Sequence, residues 1–124
     1  MNEADFDRAD GQRRNHEQAY FLYLFTRFEA AVNDALAKLL AARTDPALPW
    51  ADRRVWQAIR TERGREAPFL SRVEVLLDKS RGDFSRIHEL YTGRNAIAHG
   101  GNYSVAVDEV ARQMDAIARR FAVT

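Results

Sequence analysis

The chain has 124 residues, of which 46% are hydrophobic, and this size suits one packed domain rather than two. Its 19 basic and 18 acidic residues leave a formal net charge of +1, so any binding of a polyanion such as nucleic acid must be local. The chain contains no cysteine, which excludes disulfides, thiolate metal sites and a cysteine nucleophile.

The first part of the chain predicts a flexible or frayed arm over residues 1–17, followed by a single helical domain over residues 18–124. The arm alternates acids and arginines around Gly11 and is too polar to offset the entropy of ordering it. It lacks the basic and apolar regions of a secretion signal, and the most apolar stretch, residues 20–25, is too short to cross a bilayer. We therefore expect a cytoplasmic protein with no membrane partner.

Apolar residues at three- and four-residue steps predict the first three helices. The first spans residues 18–42, and its aromatic residues occupy more than one stripe, which favours either a central bundle helix or an additional dimer face. Pro46 and Pro49 interrupt the pattern. A second helix is predicted over residues 51–63, with Val55, Trp56 and Ile59 facing inward and Gly64 as a left-handed cap, and a third over residues 68–79.

Two further helices complete the predicted architecture. The fourth spans residues 84–99 and is stopped by Gly100 and Gly101. The fifth spans residues 105–121 and has a regular apolar stripe. Because no segment alternates as a strand does, the sequence predicts an all-α fold, a four- to five-helix bundle.

One residue of the fourth helix contradicts its amphipathic pattern. Arg94 lies within the same arc of the helical wheel as Ile87, Leu90 and Ile97. An inward guanidinium needs a partner, because burying it alone costs several kcal/mol. Three kinds of partner are open: an internal carboxylate, a subunit interface, or an anion admitted by a cleft. The candidate carboxylates are Glu29, Asp34 and Asp108.

Polar residues gather along the edge of this arc: Asn95 and His99 lie one turn apart, and His88 lies two turns before Asn95. An arginine and a histidine suit phosphodiester chemistry without a metal, since one stabilises charge and the other transfers protons near neutral pH. Arg94 and His99 point about 140° apart on a straight helix, so one chain cannot easily aim both at one atom. Two copies related by a two-fold axis would bring both residue types to one cleft.

The segment from Arg94 to Gly100 resembles the signature of the HEPN superfamily, in which an arginine is followed by four to six residues and a histidine, often with a polar residue directly after the arginine. A long aromatic first helix, a motif late in the chain and a final amphipathic helix fit the same resemblance over residues 18–121. The resemblance implies a HEPN-like helical bundle that dimerises and forms a composite, metal-independent endoribonuclease site.

Carried over to this chain, the resemblance implies that Arg94 stabilises the scissile phosphate, His99 transfers the proton and Asn95 orients one of them. Tyr103, His88 and Tyr91 complete the predicted substrate-binding set, although Tyr103 fits equally well as a loop tyrosine packed on a helix end. Many such domains are toxins or phage-defence effectors, often silenced by a nucleotidyltransferase-type antitoxin. Some carry a tyrosine as the modification target two residues after the histidine, where this chain has Gly101, so that form of regulation is not expected.

Two further patterns bear on what the protein binds. Between Arg53 and Arg86 the chain carries a run of basic residues interleaved with Trp50, Trp56 and Phe69, which fits either RNA binding or a solvated helical face. Neither His16 nor His88 is arranged with carboxylates as a metal ligand would be, and no phosphate-binding glycine loop is present, so we predict no metal and no cofactor. The expected function is a toxin-like endoribonuclease acting on single-stranded RNA as a homodimer. The alternative is a non-catalytic HEPN-like module that binds nucleotide, RNA or a protein partner.

Overall fold

The structure, a computed structural model, describes residues 3–64 and 66–121, and side chains from residue 11 onwards. Five α-helices and no strand occur within these ranges: α1 (Glu3–Arg43), α2 (Trp50–Glu62), α3 (Phe69–Leu76), α4 (Gly82–Ala98) and α5 (Val107–Ala118). The prediction of an all-α bundle of four to five helices is confirmed.

Helix α1 is the centre of the bundle and packs against each of the other four helices, while α3 also packs against α4. Its buried stripe follows the predicted three- and four-residue spacing, so most of one face of α1 lies in the core. Each fully buried side chain of this kind contributes about 1.5–3 kcal/mol through removal of apolar surface from water. The buried members of the stripe are Phe21, Phe25, Phe28, Val32, Leu36, Leu39 and Leu40.

The later helices supply the opposite side of the core. Val73, Ile87, Leu90 and Val110 are each at most 1% exposed, and they come from α3, α4 and α5. The apolar stripe predicted for the last helix is confirmed, since Val110, Met114 and Ile117 are all buried. None of the helices in the described ranges is both long enough and apolar enough to cross a membrane.

Helix α1 begins at Glu3, well before the predicted start at residue 18. The backbone of the proposed arm, residues 1–17, is therefore helical from residue 3, and residues 1–2 lie outside the described residues. A helical backbone does not test whether these residues fray, so the flexibility of the arm stays a prediction. The helix continues without a break through Gly11, where an added Cβ atom would meet no other atom within 4 Å.

Two expectations for the second helix are wrong. Val55 is 59% exposed instead of facing inward, because α2 packs mainly against α1 and no residue of α2 is buried. Gly64 does not adopt the left-handed conformation, which among the described residues occurs at Gly100. Instead, α2 ends at Glu62 and is capped by Arg63, whose N–H donates to the Ile59 carbonyl over 2.7 Å, and Gly64 allows a close approach to the Arg60 carbonyl.

Candidate functional site

The predicted motif occupies the last turn of α4, which ends in a Schellman motif. The Gly100 N–H donates to the Ile97 carbonyl over 3.0 Å, and the Gly101 N–H donates to the Ala96 carbonyl over 2.7 Å. Gly100 has φ +85°, a value that other residues rarely adopt. The helix stop predicted from the two glycines is confirmed, and it leaves His99 as the capping residue of α4.

Arg94 is partly buried at this end of the bundle and contacts its neighbour Asn95. Its Nη1 donates to Asn95 Oδ1 over 3.1 Å. No carboxylate among the described side chains pairs with Arg94. Two of the candidate partners are engaged elsewhere: Glu29 lies 3.5 Å from Arg72, and Asp34 lies 3.0 Å from Lys38.

His99 is exposed, and its backbone N–H donates to the Asn95 carbonyl over 3.0 Å. The three motif side chains therefore share one end of α4 but differ in environment: Arg94 and Asn95 are partly buried, whereas His99 faces water. Among the described residues, the Arg94 side chain donates to Asn95 and makes no hydrogen bond to the His99 side chain. This arrangement agrees with the difference of about 140° between their directions on a helix.

Tyr103 and His88 lie on a shallow groove beside the motif. The groove has a volume of about 320 Å³ and is lined by Arg86, His88, Glu89, Thr92, Gly93, Ala96 and Tyr103. The Tyr103 ring packs against Phe21 of α1, with 5.4 Å between ring centroids, and against the backbone of Gly93. A hydrogen bond of 3.2 Å from Gln18 to Asn102 also ties this loop to α1. Tyr103 thus packs on the helix end and borders the groove.

Tyr91 has a different setting from the other predicted substrate-binding residues. Its ring is partly buried and stacks on Phe25 with 6.1 Å between centroids, and its centroid lies 5.2 Å from that of Phe69. These contacts join α4 to α1 and α3. The structure therefore brings His88 and Tyr103 to one groove and places Tyr91 in the aromatic layer behind the motif helix.

The most buried arginine in the described part of the chain is Arg72, which the sequence shows only as one member of the basic run that begins at Arg53. Its side chain is 9% exposed, with Glu29 at 3.5 Å. Nε donates to the Ala67 carbonyl over 3.0 Å, Nη1 donates to Asn33, and the guanidinium lies over the Phe69 ring. The helical wheel of α3 indicates that Arg72 faces inward, because it shares an arc with the apolar residues Phe69, Val73 and Leu76.

Opposite charges neutralise much of the rest of the basic run. Glu74 accepts hydrogen bonds from Lys79 over 3.1 Å and from Arg63 over 2.8 Å. Both bonds hold the pKa of Glu74 below its ordinary value, and the bond from Lys79 has the larger effect. Arg81 lies 3.7 Å from Asp78, whose pKa is lowered first by hydrogen bonds from Ser80 and then by Arg81. These pairs lie on α3 and its flanking loops, away from the motif.

No group of three or more histidine, aspartate or glutamate side chains in residues 11–64 and 66–121 is placed to hold a metal ion. Comparisons of the chain with protein-family models, with curated proteins and with solved structures each give no match. The case for a function therefore depends on the geometry of the motif itself.

Proposed function

We propose that this protein is a HEPN-type endoribonuclease that cleaves single-stranded RNA without a metal, at a composite site formed by two copies of the chain. The observation that carries the proposal is the environment of Arg94: a partly buried guanidinium that contacts Asn95 and has no carboxylate partner among the described side chains. Such a guanidinium can bind an anion, and arginine binds phosphate well. A histidine near a bound RNA phosphate can transfer the protons that cleavage of the phosphodiester bond requires.

The proposed reaction is an internal transfer at phosphorus. The ribose 2′-oxygen forms a bond to the adjacent phosphorus as the bond from phosphorus to the 5′-oxygen breaks, which leaves a cyclic phosphate and a free 5′-hydroxyl. Arg94 stabilises the charge that builds up on the phosphate oxygens. His99 moves protons, either from the attacking 2′-hydroxyl or to the departing 5′-oxygen. Asn95 keeps Arg94 in position through its side-chain oxygen.

The composite site follows from the separation of the two side chains. Arg94 is partly buried and His99 is exposed. On a helix their directions differ by about 140°, so one chain offers a poor arrangement for one phosphate. A two-fold axis next to the end of α4 would bring Arg94 and His99 of both subunits around one cleft. Arg94 of one subunit and His99 of the other then act on the same phosphate.

The proposal extends to the cellular role given by the HEPN resemblance. The protein would act in the cytoplasm as a toxin or phage-defence effector, and a nucleotidyltransferase-type antitoxin would silence it. Regulation by modification of a tyrosine two residues after His99 is not part of the proposal, because that position is Gly101. Growth arrest on expression of the native protein, relieved by His99→Ala, is the expected cellular result.

An RNA cleavage assay in the presence of a chelator tests the catalytic proposal. The native protein should cleave single-stranded RNA, and Arg94→Ala and His99→Ala should each lower the rate by about a hundredfold or more. Arg119→Ala is the matched control, since that arginine is 78% exposed and pairs with Asp115 on α5. An unchanged rate for His99→Ala would remove the catalytic claim. Absence of cleavage by the native dimer would favour the non-catalytic binding module.

A further inference from the structure

Helix α2 has an exposed face that the core does not use. None of its residues is buried, and Trp50 at its start is 61% exposed. The Arg53 guanidinium lies over the Trp50 ring, 5.5 Å from its centroid, and Arg53 Nε donates to the Leu48 carbonyl over 2.8 Å. This bond holds the guanidinium beside the ring through Nε, and its two terminal nitrogen atoms make no hydrogen bond among the described residues.

The charges on α2 differ from those of the neighbouring basic residues. Arg63, Arg72, Lys79 and Arg81 each pair with a carboxylate. In the described part of the chain, by contrast, no carboxylate pairs with Arg53 or with Arg54. Arg60, in the last turn of α2, also has no carboxylate partner there and donates to the Thr44 hydroxyl over 3.2 Å. Cations without a carboxylate partner therefore lie along α2, and two of them, Arg53 and Arg54, stand beside Trp50 at its start.

These groups share one face of the helix. On a wheel of 100° per residue, Trp50, Arg53, Arg54 and Gln57 fall within an arc of about 100°. The two acidic residues of α2, Asp52 and Glu62, fall outside this arc. We call the four residues Trp50, Arg53, Arg54 and Gln57 the α2 face. Trp50 and Arg54 are exposed, whereas Arg53 and Gln57 are partly buried. The α2 face offers one aromatic surface, two cations and an amide, with no carboxylate among them.

We propose that the α2 face binds single-stranded RNA, with a base stacked on Trp50 and phosphates contacted by Arg53 and Arg54. An aromatic ring beside unpaired arginines is the combination that holds unpaired nucleotides, since stacking needs a free base and the cations attract the backbone. A double helix keeps its bases stacked on each other and cannot use Trp50 in this way. The α2 face therefore selects single strands without reading their sequence.

The α2 face is a second contact, separate from the α4 motif. Phe21 of α1 contacts Tyr103 beside the motif, whereas Arg43 at the end of α1 lies over Trp56 of α2, 5.4 Å from its ring centroid. At a rise of 1.5 Å per residue, these two points on α1 are about 33 Å apart. The α2 face would hold RNA away from the cleavage point. Its role in a nuclease depends on the proposed function, whereas RNA binding itself does not.

Binding is measured in the His99→Ala background, which prevents cleavage, by fluorescence anisotropy with a labelled uridine-rich 20-nucleotide RNA. Trp50→Ala should weaken binding by about tenfold, at the low end of base-stacking effects, and Trp50→Phe should restore most of it because phenylalanine also stacks. Arg54→Ala should lower the slope of log affinity against log salt by about one. Circular dichroism should show unchanged helicity in every variant.

Two matched controls separate this mechanism from general effects. Val55→Ala changes another exposed apolar residue of α2, 59% exposed but outside the α2 face, and Arg112→Ala changes an exposed arginine of α5. Both should bind RNA as the parent does. Equal losses from Trp50→Ala and Val55→Ala, equal affinity for a duplex of the same sequence, or no RNA binding at all would each overturn the proposal.

The outcomes also distinguish this proposal from the nuclease proposal. Trp50-dependent RNA binding without any cleavage by the native chain supports the α2 face and rejects the nuclease. Cleavage whose KM for the 20-nucleotide RNA is unchanged by Trp50→Ala supports the nuclease and rejects the α2 face. If both proposals hold, Trp50→Ala raises that KM by about tenfold while kcat stays unchanged.

Discussion

Replacing Gly93 with alanine tests the contact that positions the loop beside the motif. An ideal Cβ atom at this position would lie 2.4–2.5 Å from three carbon atoms of the Tyr103 ring. Ordinary carbon contacts are about 3.5–4.0 Å, so the ring would have to move by about 1 Å. Phe21 packs against the same ring and limits that movement.

Two opposing terms set the expected size of the effect. Inside a helix, alanine is more favourable than glycine by about 1 kcal/mol. Adding a methyl group where the packing leaves no room costs about 1–3 kcal/mol. We expect Gly93→Ala to lower the free energy of unfolding by about 1 kcal/mol, measured by urea unfolding followed by circular dichroism. In a Tyr103→Ala background the clash is removed, so the same substitution should raise the free energy of unfolding by about 1 kcal/mol.

The change of sign is the critical result. A double-mutant cycle compares Gly93→Ala with and without the Tyr103 ring, and the coupling between the two sites should be about 2 kcal/mol. If Gly93→Ala has the same effect in both backgrounds, the Tyr103 ring does not lie against this glycine and the description of the groove is wrong.

Three further predictions concern stability. Arg72→Ala should lower the free energy of unfolding, measured in urea, by about 1–3 kcal/mol, because it leaves the partly buried Asn33 side chain and Ala67 carbonyl without their donor. A loss below about 0.5 kcal/mol would contradict the buried role of Arg72. Arg120 donates two hydrogen bonds to Asp83, of 2.6 and 2.9 Å, which hold the pKa of Asp83 below its ordinary value. The stability that this pair contributes is complete above the ordinary aspartate pKa and is lost as the pH falls through the lowered pKa of Asp83. Asp83→Asn should therefore make the melting temperature fall less steeply with decreasing pH on the acid side, and an unchanged slope would count against the pair. Gly100→Ala should cost about 1 kcal/mol in thermal unfolding through strain at positive φ, and Gly100→Asn less; equal stability of the native chain and both variants would contradict the left-handed cap.

The helical periodicity of the sequence was sufficient to predict the bundle because burial repeats with the period of each helix. The stripe of α5 and the stop at Gly100 are read directly from residue type and spacing. The prediction for Val55 is wrong because none of the residues of α2 is buried, and which of them face inward depends on how α2 docks on α1. Docking is a tertiary property that the pattern of one helix does not contain.

The candidate site shows a similar division. The sequence predicts which residues share the end of α4, and the structure finds Arg94, Asn95 and His99 there. The same wheel criterion applied to α3 identifies Arg72 as inward, but it cannot tell that Glu29 and Asn33 meet Arg72 while no described carboxylate meets Arg94. That difference arises from contacts between helices, and it separates a structural arginine from a candidate for phosphate binding.

Subunit mixing tests the composite site most directly. Arg94→Ala and His99→Ala proteins are unfolded, mixed and refolded together, and the mixture is compared with each variant refolded alone in the RNA cleavage assay. A mixed dimer keeps one intact Arg94 and one intact His99 on opposite subunits, so cleavage should recover partly in the mixture. The native protein, refolded in the same way, must be active for the comparison to count. If it is active and the mixture is no more active than the separate variants, the two chains do not share a site.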